Sequence, residues 1–318
     1  MRIVIALGGN ALLRRGERPS AEVQRRNLHP AMSVLAGLAA SHEIVLTHGN
    51  GPQVGLLAQQ AESGSDTPLP LDVLGALTQG MIGYLIEDEL RDHLEGAGEG
   101  AKEVATLLTQ VVVDASDPAF ANPSKPIGPV WTETVARRIA AERGWPVAPD
   151  GGYWRRVVPS PEPRRILEIG AVRLLLEAGV VVICAGGGGV PVVEDPTGGW
   201  RGVEAVVDKD LSAALLADQL DADSLLLLTD VDAVYRDWQT EHAQPILFAT
   251  ADEMRDHSFA AGSMGPKVEA ACRFVSGVRR DGRMPPRVAR IGALADASHL
   301  VAGDAGTTII GSPASGVD

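Results

Sequence analysis

Only four of the 28 basic residues in this 318-residue chain are lysine. Lys102, Lys125, Lys209 and Lys267 therefore stand where arginine was not used, and a compact ammonium is not equivalent to a planar guanidinium at close quarters. Lys125 sits in Pro123-Ser124-Lys125-Pro126-Ile127-Gly128-Pro129. Lys209 sits in Asp208-Lys209-Asp210, ahead of a helical run Leu211–Leu220. Lys267 follows Gly265-Pro266, with proline suited to the first helical position. A lysine in a first helical turn faces the positive end of the dipole, and a bound phosphate removes that conflict. Asp210 is expected to cap its helix and to orient neighbouring ammonium groups. Lys102, in Glu99-Gly100-Ala101-Lys102-Glu103, is assigned to the solvated surface.

Four glycine-bearing turns are expected to follow strands: Gly8-Gly9-Asn10, Gly49-Asn50-Gly51-Pro52, Gly186-Gly187-Gly188-Gly189, and Gly303–Gly306 around Asp304. Glycine lets backbone N–H groups approach an anion closely, and a following helix adds its positive end. Lysines with such turns describe phosphoryl transfer without a protein nucleophile. Its catalysis is positioning and charge neutralisation, with Mg²⁺ bridging nucleotide oxygens. There is no GxxxxGK[ST]. The Gly186–Gly189 run opens no GxGxxG helix and leads through Pro191 into the extended Val192-Val193-Glu194, which disfavours a dinucleotide loop. No Ser–His–Asp set is legible, the seven histidines show no HxxxH or HxH pair, and His48 reads as a structural, hydrogen-bonded residue.

These groups need a scaffold. Ile3–Leu7, Glu43–Thr47, Val104–Val113, Val180–Ala185, Ser224–Leu228, Arg287–Ile291 and Thr307–Ile310 read as strands, mostly apolar throughout, as strands covered on both faces are. Leu71–Leu94, Arg164–Glu177 and Pro266–Val275 read as helices. The alternation predicts an α/β fold: a mainly parallel open sheet with helices on both sides, binding ligands beyond the carboxyl ends of its strands. Residues 116–163 hold nine of the 21 prolines and three of the five tryptophans, which predicts an inserted subdomain with its own small fold. A net charge of −13 argues against nucleic acid as partner. Cys184 and Cys272 form no CxxC, the N-terminal apolar run is too short for a signal peptide, and no apolar run reaches 18 residues. The expectation is a cytoplasmic protein without a membrane span.

Read in order, the motifs resemble the carbamate kinases of the amino acid kinase superfamily. The matching stretches are Ala6–Leu12, Thr47–Gly55, Gln79–Tyr84, Lys125–Pro129, Arg156–Pro161, Cys184–Gly189, Asp208–Asp210, Leu228–Tyr235 and Gly262–Ala271. The Leu228–Tyr235 motif is shared across the superfamily, whereas Thr47–Gly55, Lys125–Pro129 and Gly262–Ala271 are particular to carbamate kinases. The resemblance implies a three-layer αβα sandwich, with 1–180 as carbamate-side lobe, 181–318 as nucleotide-side lobe and 116–163 protruding. It implies the reaction ATP + carbamate = ADP + carbamoyl phosphate with Mg²⁺, often run toward ATP in the breakdown of arginine, in a cytoplasmic homodimer. By motif, Gly8, Gly9, Asn10, Gly49, Asn50 and Gly51 would hold carbamate and the transferred group. Lys209 and Lys267 would grip phosphate oxygens, Asp210 would orient Lys209, and Lys125 would close over the carbamate. Gly186, Gly187, Thr229, Asp230, Val231, Tyr235, Met264 and Gly265 would border the nucleotide. The sequence departs in two places: Ala6 stands where many superfamily kinases carry a lysine, an absence that the carbamate kinases share, and Val130-Trp131 replaces an expected aromatic pair. The alternatives are a relative acting on another acyl or phosphoryl acceptor, and a non-catalytic nucleotide sensor.

Overall fold

The computed structural model describes residues 1–13, 17, 20–64, 69–96, 102–260, 262–279 and 286–312. Arg2–Leu7 is apolar beyond its first residue and buried from Ile3 onward, so it must be covered on both faces. It lies inside an eight-stranded sheet with the spatial order Phe248–Thr250, Thr307–Ile310, Val288–Ala293, Ser224–Thr229, Arg2–Leu7, Glu43–His48, Val181–Ile183 and Val104–Thr106. Neighbouring strands run parallel, apart from the antiparallel pair Val288–Ala293 and Thr307–Ile310.

Among the described residues the helices are α1 (Gly9–Leu12), α2 (Ala21–Ser41), α3 (Gly51–Gly64), α4 (Leu71–Gly96), α5 (Glu133–Arg143), α6 (Ile169–Glu177), α7 (Lys209–Gln219), α8 (Ala251–Arg255), α9 (Met264–Ser276) and α10 (Ala297–Ala302). Strand alternation sorts the core into two layers. Ile3, Ile5 and Leu7 pack with Leu28, Met32 and Leu35 of α2 and Ile82 and Ile86 of α4. Val4 and Ala6 belong to the opposite core, with Val172 of α6, Leu216 of α7 and Phe274 of α9. The result is the three-layer αβα sandwich around a mainly parallel sheet.

Three expectations need correction. Val104–Val113 is not one strand: Val104–Thr106 joins the large sheet, while Gln110–Val112 joins Val190–Glu194 and Arg165–Ile166 in a second sheet of four strands. The break is held by buried Gln79, whose amide nitrogen donates to the Thr109 carbonyl (3.0 Å) and whose oxygen accepts the Thr109 N–H (2.9 Å). The helix expected from Arg164 starts only at Ile169, because Arg165–Ile166 pairs with Val111 and Val112 as a strand. The Gly303–Gly306 turn does not follow a strand. It links α10 to Thr307–Ile310, and Gly303 (φ +89°) ends α10 in the left-handed conformation.

Within 116–163, Lys125–Trp131, Tyr153–Val158 and Val147–Asp150 form a three-stranded antiparallel sheet, and α5 packs beside it. Arginine–tryptophan stacking stiffens this unit: Arg156 lies 4.0 Å from the Trp145 ring centre and Arg137 4.9 Å from that of Trp154. Its root meets α3 backbone to backbone. A Cβ on Gly55 would fall 1.9 Å from the Gly128 Cα. Gly55→Ala is therefore expected to force the two elements apart and to cost about 1–3 kcal/mol in a denaturant titration. Gly37→Ala, on the exposed face of α2 with nothing within 4 Å, is expected to be stabilising instead.

Candidate functional site

The site lies beyond the carboxyl ends of Arg2–Leu7, Glu43–His48 and Ser224–Thr229, where the helices α1, α3 and α7 begin nearby. Two adjoining cavities occupy it. The smaller, about 220 Å³, is lined by Gly9, Gly49–Pro52, Lys125, Gly187, Asp208, Lys209, Asp210 and Lys267, among others. The larger, about 500 Å³, is lined by Gly8, Gly9, Lys209, Leu228, Thr229, Asp230, Lys267 and Leu294, among others. Gly9, Lys209, Gly262, Ser263 and Lys267 line both.

The charges are arranged around two carboxylates. Asp210, 4% exposed, takes the Lys209 ammonium on Oδ1 and the Lys267 ammonium on Oδ2 at 3.2 Å. Burial alone would push its carboxyl up, but the two ammonium groups outweigh burial and hold it down at about 2. Lys209 is pulled the other way. Burial and the neighbouring Lys267 lower its pKa against the attraction of Asp210. Removing an ion from water costs several kcal/mol even after relaxation, while one unit charge at 4 Å returns about 4 kcal/mol at an effective dielectric of 20. Two ammonium groups sharing one carboxylate are thus left a positive charge in excess, which makes the wall common to the two cavities a place suited to an anion.

Asp210 is not the cap of α7. The helix begins two residues earlier than expected, and Asp208 caps it, accepting the N–H groups of Asp210 (2.9 Å) and Leu211 (3.3 Å). Asp208 also pairs with Lys125 from the protruding sheet. This carboxylate was missed among the candidates, although its place immediately before Lys209 carries an N-cap signal.

Beneath the smaller cavity, His48 is 1% exposed and its Nδ1 lies 3.1 Å from the Gly49 carbonyl. Burial, with Lys209 adding to it, drives its pKa down to about 4, so the ring is neutral. The Asn50 amide nitrogen donates to Thr78 Oγ1 at 2.8 Å. The glycine run closes over both side chains: a Cβ on Gly186 would fall 2.3 Å from His48 Nε2, and one on Gly187 2.1 Å from Asn50 Nδ2. Ala185 enters the run at φ +51°, a conformation an L side chain resists. It is held by Thr47 Oγ1 donating to its carbonyl (2.9 Å) and by its own N–H donating to Thr109 Oγ1 (3.0 Å).

Of the expected residues, Gly8, Gly9, Gly49, Asn50, Gly51, Lys125, Gly187, Thr229, Asp230, Lys209, Asp210 and Lys267 meet at the two cavities. Gly187 lies along the smaller cavity rather than the larger, and Gly186 sits behind it against His48. Asn10 belongs to α1, and its side chain lies outside the described residues. Val231, Tyr235, Met264 and Gly265 do not figure among the residues lining either cavity. The Tyr235 hydroxyl is engaged with Asp232 at 3.0 Å, and at the start of α9 Gly262 and Ser263 line the walls in place of Met264 and Gly265. Lys102 donates to the His42 carbonyl at 3.1 Å, away from the site.

His48 makes stability depend on pH. With a folded pKa near 4 and an unfolded one near 6.5, only the unfolded chain takes up a proton between them, so stability falls as pH drops through that window. From pH 6.5 to 5 the loss is expected to be about 2 kcal/mol in chemical denaturation. In a folded His48→Asn variant that part of the slope should vanish.

Comparison with known proteins follows the same lines. The amino acid kinase family model matches residues 1–284. The carbamate kinase of Haemophilus influenzae is 52% identical over 310 residues, covering 97% of this chain and 96% of its own length. That of Rhizobium meliloti is 50% identical over 313 residues, covering 97% and 93%. The structure of carbamate kinase from Giardia lamblia bound to AMP-PNP is similar at a TM-score of 0.85 and 38% identity, over 98% of each chain.

Proposed function

The chain belongs to the amino acid kinase family and within it to the carbamate kinases, and we infer that it is a phosphotransferase catalysing ATP + carbamate = ADP + carbamoyl phosphate. The observation that carries this reading is the Lys209–Asp210–Lys267 group on the wall common to a small and a large cavity. The smaller cavity takes carbamate or the carbamoyl group, the larger takes the nucleotide, and the moving phosphoryl group sits between the two ammonium groups. A carbamate oxygen forms a bond to the γ-phosphorus as the bond to the bridging oxygen breaks, and ADP leaves with that electron pair. No proton has to move, in keeping with a site of lysines and a neutral, buried histidine. Catalysis is then positioning and charge neutralisation of the transferred group.

Site roles follow from that reading. Gly9, Gly49, Asn50 and Gly51 turn the backbone toward the acceptor, Lys125 covers it, and Gly8, Thr229 and Asp230 border the nucleotide. The carbamate side draws on both halves of the chain, since Asp208 and Lys209 line the smaller cavity beside Gly49. Mg²⁺ belongs to the same proposal. Among the described residues no group of three or more His, Cys, Asp or Glu is gathered for an ion. Magnesium commonly keeps its waters and binds through substrate phosphates plus one or two carboxylates. We assign Asp230, on the wall of the larger cavity, as the carboxylate that would hold the ion, which would supply charge neutralisation at the nucleotide phosphates. The direction toward ATP, in the breakdown of arginine or related compounds, rests on the family resemblance.

The same holds for a cytoplasmic homodimer. Among the described residues no helix is long and apolar enough to cross a membrane. Both cysteines are free and buried, their thiols pushed up to about 12 and 11 by burial, which suits a reducing compartment. Val73, Leu77, Met81 and Tyr84 form an exposed stripe along one face of α4, and a second copy of the chain would cover it. Light scattering should give a dimer, and Leu77→Arg a folded monomer; a monomeric parent protein would remove this part of the reading.

The activity has a direct test. Purified protein given ADP, Mg²⁺ and carbamoyl phosphate is expected to make ATP, and a panel of N-acetylated amino acids given with ATP is not expected to be phosphorylated. Lys209→Ala should lower kcat by about 10²–10³, because a phosphate charge would go unneutralised in a dry site.

A further inference from the structure

Asp208 serves two elements at once. Oδ1 caps α7 through the N–H groups of Asp210 and Leu211, while Oδ2 holds the ammonium of Lys125, which comes from the protruding sheet 83 residues away. We propose that Asp208 is a positioning residue for the phosphotransfer, docking the protruding sheet onto the first turn of α7 so that Lys125 stands over the smaller cavity. This rests on the phosphotransferase reading above.

Three features make Asp208 an anchor rather than one half of a surface ion pair. First, the cap fixes it. The carboxylate cannot follow Lys125, and the helix it caps carries Lys209 and Asp210, so one helical turn sets the spacing between Lys125 and the Lys209–Asp210–Lys267 group. Second, the chain on both sides of it is pinned: before it Glu204 accepts the Leu71 N–H (2.7 Å) and the Val206 N–H donates to the Pro159 carbonyl (3.0 Å), and after it Ser212 Oγ donates to the Gly188 carbonyl (2.7 Å). At its root the protruding sheet meets α3 through the bare backbones of Gly55 and Gly128 and through Ile127 and Val158, which pack with Val54 and Ala58, but none of these contacts reaches Lys125 itself. Third, the contact can be given up. When Lys125 turns to an anionic substrate, two backbone N–H groups still hold Oδ1 of Asp208 in place, and the charge of Lys209 remains near enough to act on it.

Asparagine caps a helix as well as aspartate does, which separates the two duties. Asp208→Asn, Lys125→Met and the double variant would be assayed with ADP, Mg²⁺ and carbamoyl phosphate, alongside thermal melting. Asp208→Asn is expected to melt within about 2 °C of the parent. It should raise KM for carbamoyl phosphate about tenfold with a smaller fall in kcat. The double variant should be no worse than Lys125→Met alone. Parent-like kinetics in Asp208→Asn, or losses that multiply in the double variant, would overturn the proposal.

Iodide quenching of tryptophan fluorescence reads the docking without turnover, since Trp131, Trp145 and Trp154 of the five tryptophans lie in this unit. Lys125→Met leaves the cap untouched and keeps the test available even where Asp208→Asn does not fold. Its quenching should rise, and unchanged quenching would overturn the docking role. An inactive parent protein would instead remove the phosphotransferase reading, with the quenching result standing by itself.

Discussion

Asp210 between two largely buried ammonium groups is the interaction on which the rest of the site depends. A single carboxylate cannot neutralise both Lys209 and Lys267, and burial makes the Lys209 ammonium costly without a counter-charge. The protein as a whole carries −13, so this excess is local and has to be built. It is built by bringing the first turns of α7 and α9 together, a contact secured below by small residues, among them Ala213 and Ala217 of α7 and Ala270 and Ala271 of α9.

The same chemistry explains how the two kinds of cation are divided. Arginine does the structural work. Arg287, buried, spans Asp218 (2.6 Å) and Asp221 (3.2 Å), and Arg137 and Arg156 lie over tryptophan rings in the protruding unit. These are contacts for a planar fork with several donors. At the cavities a fork would fill space that the ligand needs, and three lysines stand there instead. A composition that avoids lysine elsewhere made these three conspicuous.

Most of this was legible in the sequence because it follows from local rules. Fully apolar strands followed by glycine turns indicate a parallel sheet with its ligands at one end, and helix starts after proline or aspartate locate Lys267 and Lys209. What escaped the reading depends on contacts distant in the chain. The break after Thr106 is made by Gln79 from α4, which no pattern within 104–113 announces. Helix α2 was not singled out: Pro30 sits inside it, yet the helix persists because Leu28, Met32 and Leu35 bury its face against the sheet. The Gly186–Gly189 run looked like a surface for nucleotide phosphates. Its tight positions are set instead by His48 and Asn50 beneath, a relation visible only once Glu43–His48 and Val181–Ile183 lie side by side.

That relation also bears on the chemistry. A glycine run pressed onto His48 keeps the ring dry and neutral, so the histidine beside the smaller cavity is withheld from proton transfer. Ala185 holds a left-handed backbone where glycine would be unstrained, and Thr47 and Thr109 offset the cost by bonding both of its peptide groups. The floor of the smaller cavity is thereby rigid, while its roof, with Lys125, comes from a separate sheet that meets α3 through Gly55 against Gly128 and through Ile127 and Val158 against Val54 and Ala58. A transferred phosphoryl group needs its oxygens gripped throughout and its acceptor enclosed only for the duration of transfer. In the reading proposed above, the grip falls to the sandwich and the cover to the separate protruding sheet that carries Lys125.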